Sequence, residues 1–185
     1  MTQKIAAHAL MAGCCALVPL PILDTWLEQK ATRQMYRILL EGAGQPIDEA
    51  ALDVLVEDRS SLLLGCLGVV VIWPLKKAFR TFFYFLTIKD VIDGTAEAAI
   101  RASMLEASFA RLPTDARAVR DVMDATLDRW RYSPVTRFLT RGERPPTTWL
   151  AATDFAGRTV GWLYGHAGGG AILEDYKKRL EALSS

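Results

Sequence analysis

Histidine and cysteine are scarce in this chain, two and three residues of 185. Structural and catalytic metal sites draw most of their ligands from those residues. His8, His166 and three cysteines offer no set at ligand spacing, so neither a metal nor a cofactor is expected. A disulfide framework is excluded as well, because the count is odd and the adjacent Cys14 and Cys15 could bridge only under strain. Both lie in an apolar run, and Cys66 lies in Leu64-Gly65-Cys66-Leu67. Such thiols are buried or lipid-facing in a reducing compartment. Charge of one sign is also lacking: 22 Lys and Arg stand against 21 Asp and Glu, a net charge of +1. A dedicated nucleic-acid binder would carry a basic excess, so no nucleic-acid partner is expected.

Recognisable catalytic patterns are missing too. The phosphate-binding pattern GxxxxGK[ST] does not occur, and Gly165-His166-Ala167-Gly168-Gly169-Gly170 follows no buried strand. That cluster reads as a flexible helix–helix connection with His166 in solvent. No carboxylate stands alone in an apolar run, where its pKa would rise. Ser60 and Ser61 precede an apolar stretch and suit helix capping better than nucleophilic catalysis. The expectation is a protein that is not an enzyme. An enzyme acting on a lipid-like substrate, with His8 or His166 in its site, is the outlying alternative.

Apolar residues are what the chain has in quantity, 51% against 23% charged, with a mean hydropathy of +0.14. That excludes disordered and collagen-like classes and leaves ample material for a core. Helical periodicity dominates, and the expected fold is all-α, a multi-helix bundle with one or two membrane-embedded or membrane-dipping helices. A first helix is expected from Lys4 to about Leu17, stopped before Pro19 and Pro21. Met11-Ala12-Gly13-Cys14 loosely matches a lipoprotein cleavage site, but its apolar lead-in is short and interrupted by His8, so a retained helix is the better reading. Thr25-Trp26-Leu27-Glu28 has the capping-box pattern of a second helix, in which Trp26, Ile38 and Leu39, with Met35 between, recur at helical spacing and Gly42 and Gly44 mark the end. A short helix should follow Pro46-Ile47-Asp48, with Leu52, Leu55 and Val56 inward.

Leu62 to Leu75 is uncharged throughout. As a helix it spans about 21 Å, against a hydrocarbon core of roughly 30 Å. It can dip into a bilayer, or approach a crossing if Lys76 and Lys77 reach back to the interface. The expected membrane-interface residues are Trp73, the cations Lys76, Lys77 and Arg80, and the aromatic pair Phe82 and Phe83 on an amphipathic helix lying along the surface. Ala6, Ala9, Gly13, Gly65 and Gly68 would let helices approach closely.

Beyond this stretch Asp93-Gly94 punctuates the chain, and ordinary helices are expected over 95–112 and 114–131. Ser133-Pro134 should open a short segment over 135–140. Arg141-Gly142-Glu143-Arg144-Pro145-Pro146 is a linker, followed by a helical pair over 148–164 and 171–183. The arginines 129, 131, 137, 141 and 144 read as a solvated surface. Two units follow: a helical membrane-associated domain over 1–140, and the linker with its helical pair over 141–185.

The run Leu17-Val18-Pro19-Leu20-Pro21-Ile22-Leu23-Asp24, the helix carrying Met35-Tyr36-Arg37 and the Gly-containing apolar run resemble the YcjF-like family of bacterial domains of unknown function. The resemblance covers residues 16 to about 109, and the region after Leu112 has no counterpart in it. Members often follow GTPase modules or occur alone in membrane-associated proteins. It implies an all-helical membrane-associated domain and brings no catalytic residues. Together these readings give a non-enzymatic scaffold or accessory factor at the inner (cytoplasmic) membrane, its bulk facing the cytoplasm. Its partners would be membrane lipids and either another protein or a second copy of itself. The alternative is a soluble helical bundle that serves as a protein-interaction module.

Overall fold

The computed structural model describes residues 3–17, 21–57, 80–112, 115–130 and 155–183, and all regular structure among them is helical. Helix α1 covers Gln3–Cys14 and tightens into a 3-10 turn over Cys15–Leu17. Helix α2 runs over Pro21–Gly42. It ends where Gly44 takes a φ of 65°, which lets Gln45 N–H reach Leu40 O at 2.9 Å and Gly44 N–H reach Glu41 O at 3.1 Å. This double closure needs a left-handed residue, and glycine adopts that conformation without steric cost. Asp48 opens α3 (Glu49–Val56) by accepting a hydrogen bond from Ala50 N–H at 3.0 Å. Then come α4 (Arg80–Ala107), a 3-10 turn over Phe109–Arg111, α5 (Ala116–Arg129), α6 (Phe155–Ala167) and α7 (Gly169–Ala182).

Helix α4 is the axis of the bundle. It packs against α1, α2, α6 and α7, while α3 lies against α2 and α5, and α5 against α7. Tyr36, Met35, Leu52, Leu105, Met104, Val119, Met123, Val160 and Tyr176 are fully buried between these helices. The C-terminal pair therefore contributes to the same core as the N-terminal helices.

The closest packing is between α1 and α4. A Cβ placed on Gly13 would lie 2.5 Å from Val91 O and 2.7 Å from Thr95 N, so the two backbones touch at this point. Ala6, Ala9 and Ala12 on α1, with Ala98, Ala99 and Ala102 on α4, are buried as well. Small side chains let helix axes come together, and the gain is dispersion contact along the backbone.

Several expectations are corrected here. The break at Asp93-Gly94 does not exist, because Gly94 lies mid-helix facing Gly13, its hypothetical Cβ 3.4 Å from Gly13 Cα. Hence the stretch from Arg80 is not a separate amphipathic surface helix but the start of the central one. Helix α2 begins at Pro21, so Thr25 sits inside it and caps nothing; proline suits a first helical position. Cluster 165–170 is no flexible connection. Helix α6 continues to Ala167, Gly168 alone turns with φ 78°, and α7 starts at once. His166 is accordingly half-buried, its ring 4.0 Å from that of Trp162. Helix α1 was expected to enter a bilayer, yet its apolar face is used against α2, α4 and α6. Among the described residues no helix is long and apolar enough to cross a membrane, so no transmembrane helix is found there.

Candidate functional site

Some of the exposed apolar side chains lie toward one end of the bundle. Whereas Ile47 is exposed past the other end of α2 and Leu183 (51%) after α7, these are Met11 (56%), Leu17 (57%), Trp26 (49%) and Ile88 (45%), with Leu27 next to Trp26. Their common location follows from the contacts. Gly13 meets Val91 and Thr95, and the turn 15–17 that follows touches both α2 and α4. The end of α1, the first turns of α2 and the Val91 level of α4 are therefore neighbours. Trp26, read with Met35, Ile38 and Leu39 as one of the apolar positions recurring along this helix, is exposed.

The α2–α3 pairing brings a further part of the chain to this end. Arg37 pairs with Glu49, whereas Arg33 reaches both Glu49 (2.6 Å) and Asp53 (2.7 Å). Moving backwards along α2 thus means moving forwards along α3, so Val56 and Glu57 approach the level of Lys30 and Trp26. A groove of about 430 Å³ follows this seam, lined by Trp26, Lys30, Arg33, Arg37, Asp53 and Val56 among others. At its mouth the Lys30 ammonium lies 4.4 Å from the centre of the Trp26 ring, a cation–π contact. The Glu49 carboxyl is held below the usual carboxylate range, first by its hydrogen bond from Arg33 and also by the charge of Arg37.

A half-buried polar network joins α4 to α5 and to the end of α3. Asp124 accepts from Arg101 Nη1 and from Arg120 Nε, each at 2.9 Å, and Arg101 Nε also bonds Glu97 Oε1 at 2.9 Å. Burial opposes the Asp124 charge, but the two guanidinium groups more than offset it and hold the carboxyl low. Arg120 also donates to Leu55 O and, at 3.3 Å, to Glu57 O. It thereby places positive charge on the carbonyl end of α3, where the helix dipole favours a cation. Tyr36 is fully buried next to these charges, and burial raises its pKa; its hydroxyl has no hydrogen-bond partner among the described residues. Tyr176 shares a hydrogen bond with Ser108, and burial pushes its pKa to about 12. Of these contacts, those of Arg120 brace the end of α3. None of the groups forms a nucleophile–base pair.

Of the expected interface residues, Trp73, Lys76 and Lys77 lie outside the described residues, as do Gly65, Gly68 and the run Leu62–Leu75. Arg80, Phe82 and Phe83 belong to the first turn of α4, and their side chains are outside the described part. Segments 135–140 and 141–146 also lie outside it. The expected close approach at Ala6, Ala9 and Gly13 occurs within the bundle. Cys14 and Cys15 are of intermediate exposure, and the Cys15 thiol donates to Met11 O at 3.2 Å. Among the described residues no group of three His, Cys, Asp or Glu could hold a metal. The histidine rings bond carbonyls of their own helices, His8 to Lys4 O at 2.8 Å and His166 to Trp162 O at 3.1 Å.

Sequence reasoning missed the Trp26–Lys30 pair and the Arg101–Asp124–Arg120 network. The first had a signal in its i,i+4 spacing. The second joins α4 to α5 and α3 through residues far apart in the chain, and no local pattern announces it. Comparison with known proteins returns no matching family model, no matching curated protein and no matching solved structure.

Proposed function

We propose that the protein is a non-enzymatic helical scaffold or accessory factor attached to the inner face of the bacterial cytoplasmic membrane, with its bulk in the cytoplasm. One observation carries this reading. The uncharged run Leu62–Leu75 is followed directly by Lys76 and Lys77 between α3 and α4, and Arg80 opens α4. The apolar run would dip into lipid, with Trp73 at the interface and the cations against anionic headgroups, each worth about 1 kcal/mol. Phe82 and Phe83 would sit at the same level as the chain enters α4. The resemblance of residues 16–109 to the YcjF-like family agrees with a membrane-associated helical domain.

The deciding experiment replaces Lys76, Lys77 and Arg80 together with Glu. Co-sedimentation with anionic liposomes should fall at low salt, and high salt should lower binding of the unaltered protein. Equal co-sedimentation of both proteins at both salt concentrations would reject the attachment. A second reading draws on the exposed Met11, Leu17, Trp26 and Ile88: a protein-interaction module whose apolar end binds another chain or a second copy. It expects a monodisperse protein in plain buffer, whose mass by light scattering is either a dimer or a monomer indifferent to vesicles.

A further inference from the structure

The end of α1 reads Met11-Ala12-Gly13-Cys14-Cys15, three sulfur side chains within five residues. Gly13 fixes how they point. Its backbone lies against Val91 O and Thr95 N of α4. At about 3.6 residues per turn, Met11 and Cys15 then fall on the side of α1 away from α4. Met11 is accordingly 56% exposed, and Cys14 and Cys15 are both of intermediate exposure. Helical side chains lean back over the preceding turn, and residues three and four apart are surface neighbours. Cys14 stands three residues after Met11 and Cys15 four, so the two thiols flank the thioether. Cys15 makes that lean visible, because its thiol donates to Met11 O at 3.2 Å.

Histidine, cysteine and carboxylate ligands alone make no metal-binding group among the described residues. A thioether extends the set in one direction only, towards soft ions. Thiolate and thioether sulfur together select Cu(I). Structural zinc calls for four thiolate or imidazole ligands. Calcium and magnesium call for oxygen, and residues 3–17 hold no carboxylate. His8, one turn before Met11, is engaged by its own helix through Lys4 O and lies outside the sulfur set. We propose that Met11, Cys14 and Cys15 bind one Cu(I) ion on the outer face of the α1 terminus. Each cysteine releases its S–H proton to solvent and forms a Cu–S bond as thiolate. Met11 adds a third bond through a sulfur lone pair, and no electron is transferred. Cys15 gives up its hydrogen bond to Met11 O in the exchange. A site this open trades its ion with other thiols by ligand substitution, which is the behaviour of a carrier and not of a permanent structural metal. It is independent of the attachment proposed above.

The test takes the full chain, reduced, freed of reductant and kept under nitrogen, and titrates it with Cu(I) presented as its bathocuproine disulfonate complex. The unaltered protein should withdraw one ion per chain, and X-ray absorption of the product should show three sulfur neighbours around copper. Met11→Leu conserves volume at an exposed position and should fold unchanged. It should bind Cu(I) more weakly and leave two sulfur neighbours. Cys14→Ser and Cys15→Ser should each weaken binding by more than roughly 100-fold, beyond the cost of losing an outer-shell partner. Cys66→Ser changes the third cysteine of the sequence and should bind as the unaltered protein does. Circular dichroism accompanies each titration; should a serine variant fail to fold, Met11→Leu and the sulfur count decide alone. No withdrawal of Cu(I) from the chelate would overturn the proposal, as would binding that Cys66→Ser abolishes. Equal affinity and an equal sulfur count in Met11→Leu would overturn it too, and so would displacement of Cu(I) by equimolar Zn(II).

Discussion

The α1–α4 and α2–α3 contacts hold neighbouring helices by opposite means. At Gly13 the first brings backbone against backbone, with alanines on either side. The second uses long arms, Arg33 and Arg37 reaching Glu49 and Asp53 across a groove. Close-packed backbones have no room to adapt, because interiors are as dense as crystals. Exposed ion pairs tolerate change, since water and salt replace either partner. One contact fixes geometry, and the other keeps a surface open.

The largest effect should come from breaking the first contact. Gly13→Ala puts a methyl group within 3 Å of Val91 O and Thr95 N, and backbone cannot swing aside as a side chain can. A loss of about 3 kcal/mol is expected, read as a lowered melting temperature. Gly161→Ala is the control: nothing lies within 4 Å of that Cβ, so the change should be neutral or stabilising by up to about 1 kcal/mol. A Gly13→Ala protein as stable as its parent would mean that α1 and α4 do not touch there.

Second in size is the half-buried network that joins α4 to α5 and α3. Asp124→Ala leaves Arg101 and Arg120 without their shared carboxylate, and a cost of about 2 kcal/mol is expected. Acid sharpens the same point. The folded Asp124 pKa lies below the ordinary 3.8, so its contribution is present above that value and is lost as pH falls through the lower folded pKa. Asp124→Asn should flatten the acid limb of a stability–pH curve.

Tyr176 gives the alkaline counterpart. Its pKa rises from 10.0 to about 12, so the unfolded chain releases this proton first as pH increases. Stability is unaffected below pH 10 and falls between there and 12 by about 2–3 kcal/mol. Tyr176→Phe should abolish that part of the alkaline loss, at a cost near neutral pH of about 1 kcal/mol for the bond to Ser108. An unchanged alkaline limb would show that Tyr176 is not buried as described. The smallest effect belongs to the groove. Arg33→Gln or Arg37→Gln should barely move the melting temperature, and in high salt not at all. A large, salt-resistant loss would make this seam a structural contact like the first.

Much of the helical content was legible because local chemistry dictates it. Pro46-Ile47-Asp48 announces α3 by a capping carboxylate, and Gly42 and Gly44 announce the end of α2. What misled were glycines and a tryptophan whose roles depend on partners elsewhere. Gly94 looks like a break until Gly13 is seen against it, and Gly165 looks like a loop until α6 is found to continue through it. Trp26 lies about 180° around α2 from the buried Met35 and on the same side as Lys30, Arg33 and Arg37, so it faces the groove and not the core. Being apolar does not place a residue on the buried face. Its angle from the other apolar positions does.

Helix α4 has 28 residues and no interruption, a rod of about 42 Å whose middle is clamped at Gly13 and whose far half is set in the core. Such a rod is a lever with a fixed fulcrum. Force applied where the chain enters at Arg80 must turn the whole helix about the Gly13 crossing, and the opposite arm carries Arg101 and Ser108 follows its end. Any pull on the first turns is thus delivered as torque to the Asp124 and Tyr176 bonds on the other side of the molecule.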